Sequence, residues 1–272
     1  KGPTPKAEDR PYHKAHKAKM EAQRRQASRP RSTRGHGKAG AEWVVGRNPV
    51  VEALHAGMPV KSLYLAEGAE RDSRLQDIFK HAAEHSMPLL QVTRAELDRL
   101  TAGAVHQGVA LQLPAFDYAH PDDLLATSLD AKAPLVVFCD GITDPHNLGA
   151  IIRSAAAFGA QGVLIPERRS ASMTAVAWKS SAGAAARLTV ARATNLNRAI
   201  EDYARAGFMV VGLAGEADLD IGGIPGVEGP VVVVVGSEGD GLSRLTREKC
   251  DVLARIPISS EVESLNASVA TS

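Results

Sequence analysis

Three stretches in the second half of the chain carry residues whose types and spacing suit chemistry. Asp140–Asn147 (DGITDPHN) runs toward Arg153, Gly236–Ser243 reads GSEGDGLS, and Pro257–Ser268 reads PISSEVESLNAS. Each follows a short apolar run, as expected of loops beyond the carboxyl ends of buried parallel strands, where open α/β sheets bind ligands. Singly, these residues are ambiguous. Asn147 either caps its helix or meets a ligand, and Arg153 is either a solvated helix arginine or an anchor. They lie six positions apart, about 240° around a helix. They therefore share a site only if Asn147 belongs to the loop, which the preceding Asp144-Pro145 favours. Ser264, Asn266 and Ser268 alternate with Leu265 and Ala267, and either line a pocket or cap a terminal helix. The glycine loop lacks the phosphate-loop lysine and the G-x-G-x-x-G order, which disfavours a nucleotide-dependent NTPase. Glu238 and Asp240 would repel a pyrophosphate. They suit a ligand with a cationic or hydrogen-bond-donating face, and a plain strand-to-helix turn would need fewer glycines.

The elements that must position these loops read as alternating strand and helix. Strands are expected at Leu135–Cys139, Gly162–Ile165, Phe208–Leu213, Val231–Val235 and Val252–Ile256. Helices are expected at Leu148–Phe158, Ala171–Ala186, Leu196–Ala206 and Thr246–Lys249. This alternation predicts an α/β domain over residues 134–272, a mostly parallel sheet with helices on both faces. Upstream, residues 41–116 read as a smaller α/β domain. Its helices are expected at Gly46–Gly57, Arg74–His85 and Arg94–Leu100, and its strands at Ser62–Leu65, Leu89–Val92 and Val109–Leu113. Residues 117–133 read as a linker holding a short helix at Asp122–Ser128.

Net charge is +1, but it is unevenly spread. Residues 1–40 hold 12 Lys/Arg against 3 Asp/Glu, leaving 20 basic and 28 acidic residues for the rest. Prolines and a Ser/Gly/Arg-rich stretch remove any hydrophobic period there. Such a segment cannot offset its ordering entropy and is expected to be a disordered basic arm, either an electrostatic tether to nucleic acid or a solubility tail. His13, His16 and His36 read as tail composition, and no metal is expected. Cys139 and Cys250 cannot build a disulfide scaffold and read as reduced thiols of a cytoplasmic protein. Val231–Val235 is five residues long, far below the roughly 20 that span a bilayer, so no membrane partner is expected.

Jointly, the three stretches are far less ambiguous. Asp144-Pro-His-Asn147 through Arg153 to Phe158-Gly159 resembles the first motif of the SpoU (TrmH) family of RNA 2′-O-ribose methyltransferases. Val231–Gly236 with Ser-Glu238-Gly239 and Gly241-Leu242-Ser243 resembles the second. Ile256-Pro257 with Ser264-Leu265-Asn266-Ala-Ser268 resembles the third, and all occur in family order. Residues 43–116 resemble the small L30e-type RNA-binding domain often attached to this catalytic domain.

The resemblance implies a SPOUT-type catalytic domain with a deep trefoil knot, built from the second and third motif loops around S-adenosyl-L-methionine. It implies that Leu213, Gly236, Ile256 and Leu265 hold that cofactor. It implies that Asn147, Arg153, Glu238, Ser264 and Asn266 form the catalytic and substrate-positioning set. It further implies a homodimer in which Arg153 completes a site across the interface, and an RNA substrate, a guanosine of 23S rRNA ahead of tRNA. The competing class is a catalytically silent RNA-binding protein that keeps the knot, against which the intact Asn147, Arg153, Glu238 and Asn266 set argues. Family members continue through a full C-terminal helix, whereas fewer than ten residues follow Ser264. Either a longer protein is the active species, or cofactor affinity and dimerisation are weakened, and an initiator Met or more is expected upstream of Lys1.

Overall fold

A computed structural model describes residues 42–70, 72–225, 228–257 and 267–271, together with Lys17 and Met20. The expectations for the basic arm and for Ser264, Leu265 and Asn266 lie outside the described residues. So does the chain path through 258–266, on which the expected knot depends.

The small domain is built on four strands: β1 (Trp43–Val45), β2 (Ser62–Ala66), β3 (Leu89–Val92) and β4 (Val109–Gln112). Their order is β1-β4-β2-β3, antiparallel except for the parallel pair β2–β3. Helices α1 (Arg47–His55), α2 (Ser73–Glu84) and α3 (Arg94–Leu100) link them. Asp72 caps α2 by accepting from the Leu75 amide at 2.9 Å, and Thr93 caps α3 through the Glu96 amide at 3.2 Å. Val50, Leu54, Leu75 and Ile78 pack beneath Leu63, Val109 and Leu111 in one buried cluster. Strand β1 was not expected from the sequence, because three residues are too short to show a period.

The large domain contains helix α4 (Pro121–Leu129) and a seven-stranded sheet whose strand pairs are all parallel. In chain order its elements are β5 (Leu135–Cys139), α5 (Pro145–Ala157), β6 (Gly162–Pro166), α6 (Ala175–Ser180), β7 (Thr189–Ala193), α7 (Leu196–Arg205) and β8 (Met209–Leu213). They continue as β9 (Leu219–Asp220), β10 (Val231–Val235), α8 (Arg244–Lys249), β11 (Val252–Arg255) and α9 (Ala267–Ala270). The sheet order is β7-β6-β5-β10-β8-β11-β9. Side-chain alternation divides the strands between two cores. Val137, Cys139, Val163 and Val235 meet Leu148, Ile151 and Ile152 of α5 on one face. Val136, Phe138, Leu164 and Val234 meet Leu124 of α4 and Ile200 and Tyr203 of α7 on the other.

Three expectations are corrected. The helix expected over Ala171–Ala186 is broken: α6 spans only Ala175–Ser180, and Ala184–Ala186 is a separate 3₁₀ turn. Thr174 starts α6 as its cap, and Ala182 (φ 47°) and Gly183 (φ 82°) turn the chain left-handed after it. Thr189–Ala193, unassigned from sequence, is the edge strand β7. The stretch 117–133 is more than a connection, since Leu124, Leu125 and Leu129 of α4 are buried in the large domain's core.

Helices α5 and α6 cross in close contact at Gly149. A Cβ there would stand 2.4 Å from the Ala177 carbonyl oxygen and 2.5 Å from the Ser180 Cβ. Gly149→Ala should therefore destabilise the protein by about 1–3 kcal/mol, read as a lower denaturant midpoint at unchanged slope.

Candidate active site

Strands β5 and β10 are neighbours in register, Val235 opposite Cys139, so the loops that follow them leave the sheet side by side. Two hydrogen bonds tie them. Near the strand ends, Asp140 Oδ2 accepts from the Ser243 amide at 2.7 Å. Farther out, Asn147 Nδ2 donates to Glu238 Oε1 at 2.8 Å. The second bond fixes the amide's orientation, because a carboxylate only accepts, and turns Asn147 Oδ1 into the acceptor left over for another group.

The glycine loop is a closed hairpin. Ser237 and Gly241 exchange backbone hydrogen bonds, both at 3.0 Å. Gly239 (φ 89°) and Gly241 (φ 65°) take left-handed conformations inside it. Gly236 lies beneath the returning strand of this hairpin. A Cβ on it would fall 2.2 Å from the Gly241 carbonyl carbon and 2.5 Å from the Leu242 nitrogen.

Beside this hairpin opens a cavity of about 1000 Å³. Its walls come from the ends of four strands: Leu213–Glu216 after β8, Asp220 of β9, Val235–Leu242 after β10 and Arg255–Pro257 at the end of β11. Ala267 and Ala270 of α9 close one side. Leu213, Val235, Leu242 and Ile256 supply apolar surface, and Glu216, Asp220, Glu238 and Asp240 supply carboxylates. Two of these are paired: Arg247 with Glu216, and Arg255 Nε with Asp220 Oδ1 at 2.6 Å. Glu216's own backbone N–H and then Arg247 hold its carboxyl below the usual carboxylate range.

Three of the four residues expected to hold a cofactor, Leu213, Gly236 and Ile256, thus line one cavity, and the fourth, Leu265, lies outside the described residues. Of the expected catalytic set, Asn147 and Glu238 are brought together. Asn147 does so from within the helix, which corrects its expected place in the loop. Asp144 caps α5 through the His146 amide at 2.9 Å and Pro145 occupies its first turn, so Asn147 sits one residue further in and is buried. Arg153, on the same helix, consequently points elsewhere: it is exposed, makes no ion pair with a described residue, and does not line the cavity. Sequence reasoning missed Asp140 as a strap and the rim groups Glu216, Asp220, Arg247 and Arg255. Only the sheet order brings those together, so no local pattern marks them.

Both thiols are unsuited to nucleophilic work. Burial, with Asp140 adding to it, pushes Cys139 up to about 12, and burial with Asp251 and Asp140 pushes Cys250 up to about 11. Neither lines the cavity. Among the described residues, no helix is long and apolar enough to cross a membrane.

Comparison with known proteins agrees with this architecture. The SpoU rRNA Methylase family model matches residues 134–272, and the model for RNA 2′-O ribose methyltransferase substrate binding matches residues 43–119. A protein of Mycobacterium ulcerans (strain Agy99), described as an uncharacterized tRNA/rRNA methyltransferase, is 55% identical over 270 residues, 99% of this chain and 84% of the relative. The SpoU methyltransferase AviRb of Streptomyces viridochromogenes, solved with AdoMet, matches at 25% identity and a TM-score of 0.60, covering 92% of this chain and 93% of that one. An AdoMet-bound rRNA methyltransferase of Sinorhizobium meliloti shares the fold at 23% identity and a TM-score of 0.58, over 94% of this chain and 90% of that one.

Proposed function

Because this chain belongs to the SpoU rRNA methylase family, we propose that it methylates a ribose 2′-oxygen of RNA, with a guanosine of 23S rRNA as the target. The observation that carries this reading is the convergence of Leu213, Gly236 and Ile256 on one cavity, with Glu238 at its edge bonded to Asn147. The cavity fits S-adenosylmethionine. Its glycine backbone admits close approach, its apolar side chains suit a purine, and its carboxylates suit a sulfonium and an ammonium group. When bound, this cofactor supplies an activated methyl group, so the protein's task is alignment and proton removal.

Asn147 is the residue to orient the substrate. Its Nδ2 is engaged by Glu238, which leaves Oδ1 as the atom to accept from the ribose hydroxyl. Glu238 is a positioning residue, holding Asn147 and the glycine hairpin in one arrangement. A guanidinium carries no lone pair free to take a proton, which makes an arginine a poor free base. Arg153 acts instead with a substrate phosphate, polarising the 2′-OH and stabilising the charge that develops there while the proton passes to solvent. Its exposure on α5 supports a homodimer in which Arg153 serves the partner's cavity. From the family resemblance we assign Ser264 and Asn266 to substrate positioning, Leu265 to cofactor binding and a trefoil knot to the catalytic domain.

The small domain supplies RNA recognition, and the arm at 1–40 adds electrostatic affinity. Deleting residues 1–40 should weaken RNA binding and flatten the dependence of log K on log salt by several of the roughly 0.7–0.9 units that each phosphate contact contributes. An unchanged slope in filter-binding titrations from low to high salt would contradict the tether. The substrate is tested by incubating the protein with labelled S-adenosylmethionine and either undermethylated 23S rRNA or bulk tRNA, then mapping the label by nuclease digestion. Label on rRNA is expected. Label on tRNA alone would keep the enzyme class and overturn the target, and label on neither would favour a silent RNA-binding protein.

A further inference from the structure

Away from the cavity, on the small domain, the histidines of α1 and α2 gather. His81 and His85 lie one turn apart on α2 with their rings stacked, centroids 4.1 Å apart. The ring of His55, the last residue of α1, lies 6.1 Å from that of His81. One ligand atom each from His81, Glu84 and His85 falls within 4.8 Å of the others. The segment reads His81-Ala-Ala-Glu84-His85, whose two imidazoles, four residues apart, share the helix face that zinc-binding helices use for their histidine pair.

We propose that His81, Glu84 and His85 bind a divalent transition-metal ion of the zinc class, with His55 as the nearest further donor on the adjoining helix. Two imidazoles and a carboxylate are a borderline donor set suited to such an ion. The tautomer of His85 is already set for it. Its Nδ1 lies 2.9 Å from the His81 carbonyl oxygen, which can only accept, so Nδ1 carries the proton and Nε2 the free lone pair. A ring N–H donated to a backbone carbonyl is the usual outer support of a ligating histidine. An ion there clamps the last turns of α2, since all three ligands stand on that helix and its C-cap. The ligands stand on an outer helix face, and the role is structural.

The test uses the untagged full chain, stripped with a chelator and titrated calorimetrically with Zn²⁺. One ion per chain is expected, with a rise in Tm as zinc is added. The double variant His81→Asn, His85→Asn should weaken binding at least about tenfold and abolish the Tm rise. His85→Asn alone, at an exposed position, should also weaken binding while leaving the circular dichroism unchanged, which separates ligand loss from misfolding. Replacing His13, His16 and His36 in the arm should change neither quantity. Zinc affinity unaltered in the double variant, binding lost with the arm histidines, or binding only at millimolar zinc would each overturn the proposal.

Discussion

Gly236→Ala is expected to abolish cofactor binding while the chain still folds. The added methyl has nowhere to go. Its nearest neighbours are the carbonyl carbon and oxygen of Gly241, at 2.2 and 2.4 Å, and the Leu242 nitrogen at 2.5 Å, all of them backbone. A flexible side chain could swing aside, but here the whole hairpin must lift off the strand end. The Ser237–Gly241 pair moves with it, as do the Asp140–Ser243 and Asn147–Glu238 bonds. The wall of the cavity is thereby displaced by an ångström or more, and misplacement of about 1 Å already costs on the order of 10²-fold in rate. Methyl transfer should fall by at least that factor, and S-adenosylmethionine should no longer bind in a calorimetric titration. The β5 and β10 strands are held by their own ladders, so secondary structure by circular dichroism should survive. Cofactor binding within a few-fold of wild type would contradict the assigned role of this glycine.

Arg153→Ala is expected to give the opposite profile. Arg153 is exposed, makes no ion pair with a described residue and does not line the cavity, so its loss should leave stability and cofactor affinity unchanged. Activity should nonetheless fall by about 10²–10³-fold, the usual effect of removing one group that stabilises charge developing in a transition state. Arg153→Lys should recover little, because an ammonium cannot present the planar fork that engages phosphate. If the arginine serves the partner's site, mixed dimers of Arg153→Ala and Gly236→Ala chains should regain activity that neither variant has alone. Near-full kcat in the alanine variant would remove Arg153 from the mechanism.

Much of this arrangement is legible in the sequence, for physical reasons. Leu135–Cys139 and Val231–Val235 are continuous apolar runs because both faces of a central parallel strand are buried; both strands are legible, whereas their pairing is seen only in the structure. Arg94–Leu100 carries its cap, Thr93, and its extent is read correctly. Strand β7 hides because Thr189-Val-Ala-Arg-Ala193 lies at the sheet edge and follows an Ala-rich stretch that mimics a helix. Propensity alone cannot see that Thr174 caps α6 or that Ala182 and Gly183 turn left-handed. At the site, the glycine loop and Asn147 announce themselves. The pairing of Arg247 with Glu216 and of Arg255 with Asp220 does not, since each joins residues more than 30 positions apart that only β8, β9 and β11 bring together.

The central claim is methyl transfer to a ribose oxygen, and the chemistry of the labelled RNA tests it most directly. A 2′-O-methyl group removes the hydroxyl that alkali needs to cleave the neighbouring phosphodiester. RNA labelled by the protein from methyl-labelled S-adenosylmethionine should therefore release its label in an alkali-resistant dinucleotide, and RNA treated with the Gly236→Ala variant should carry none. Label released by alkali in a single nucleotide would place the methyl on a base and contradict the account.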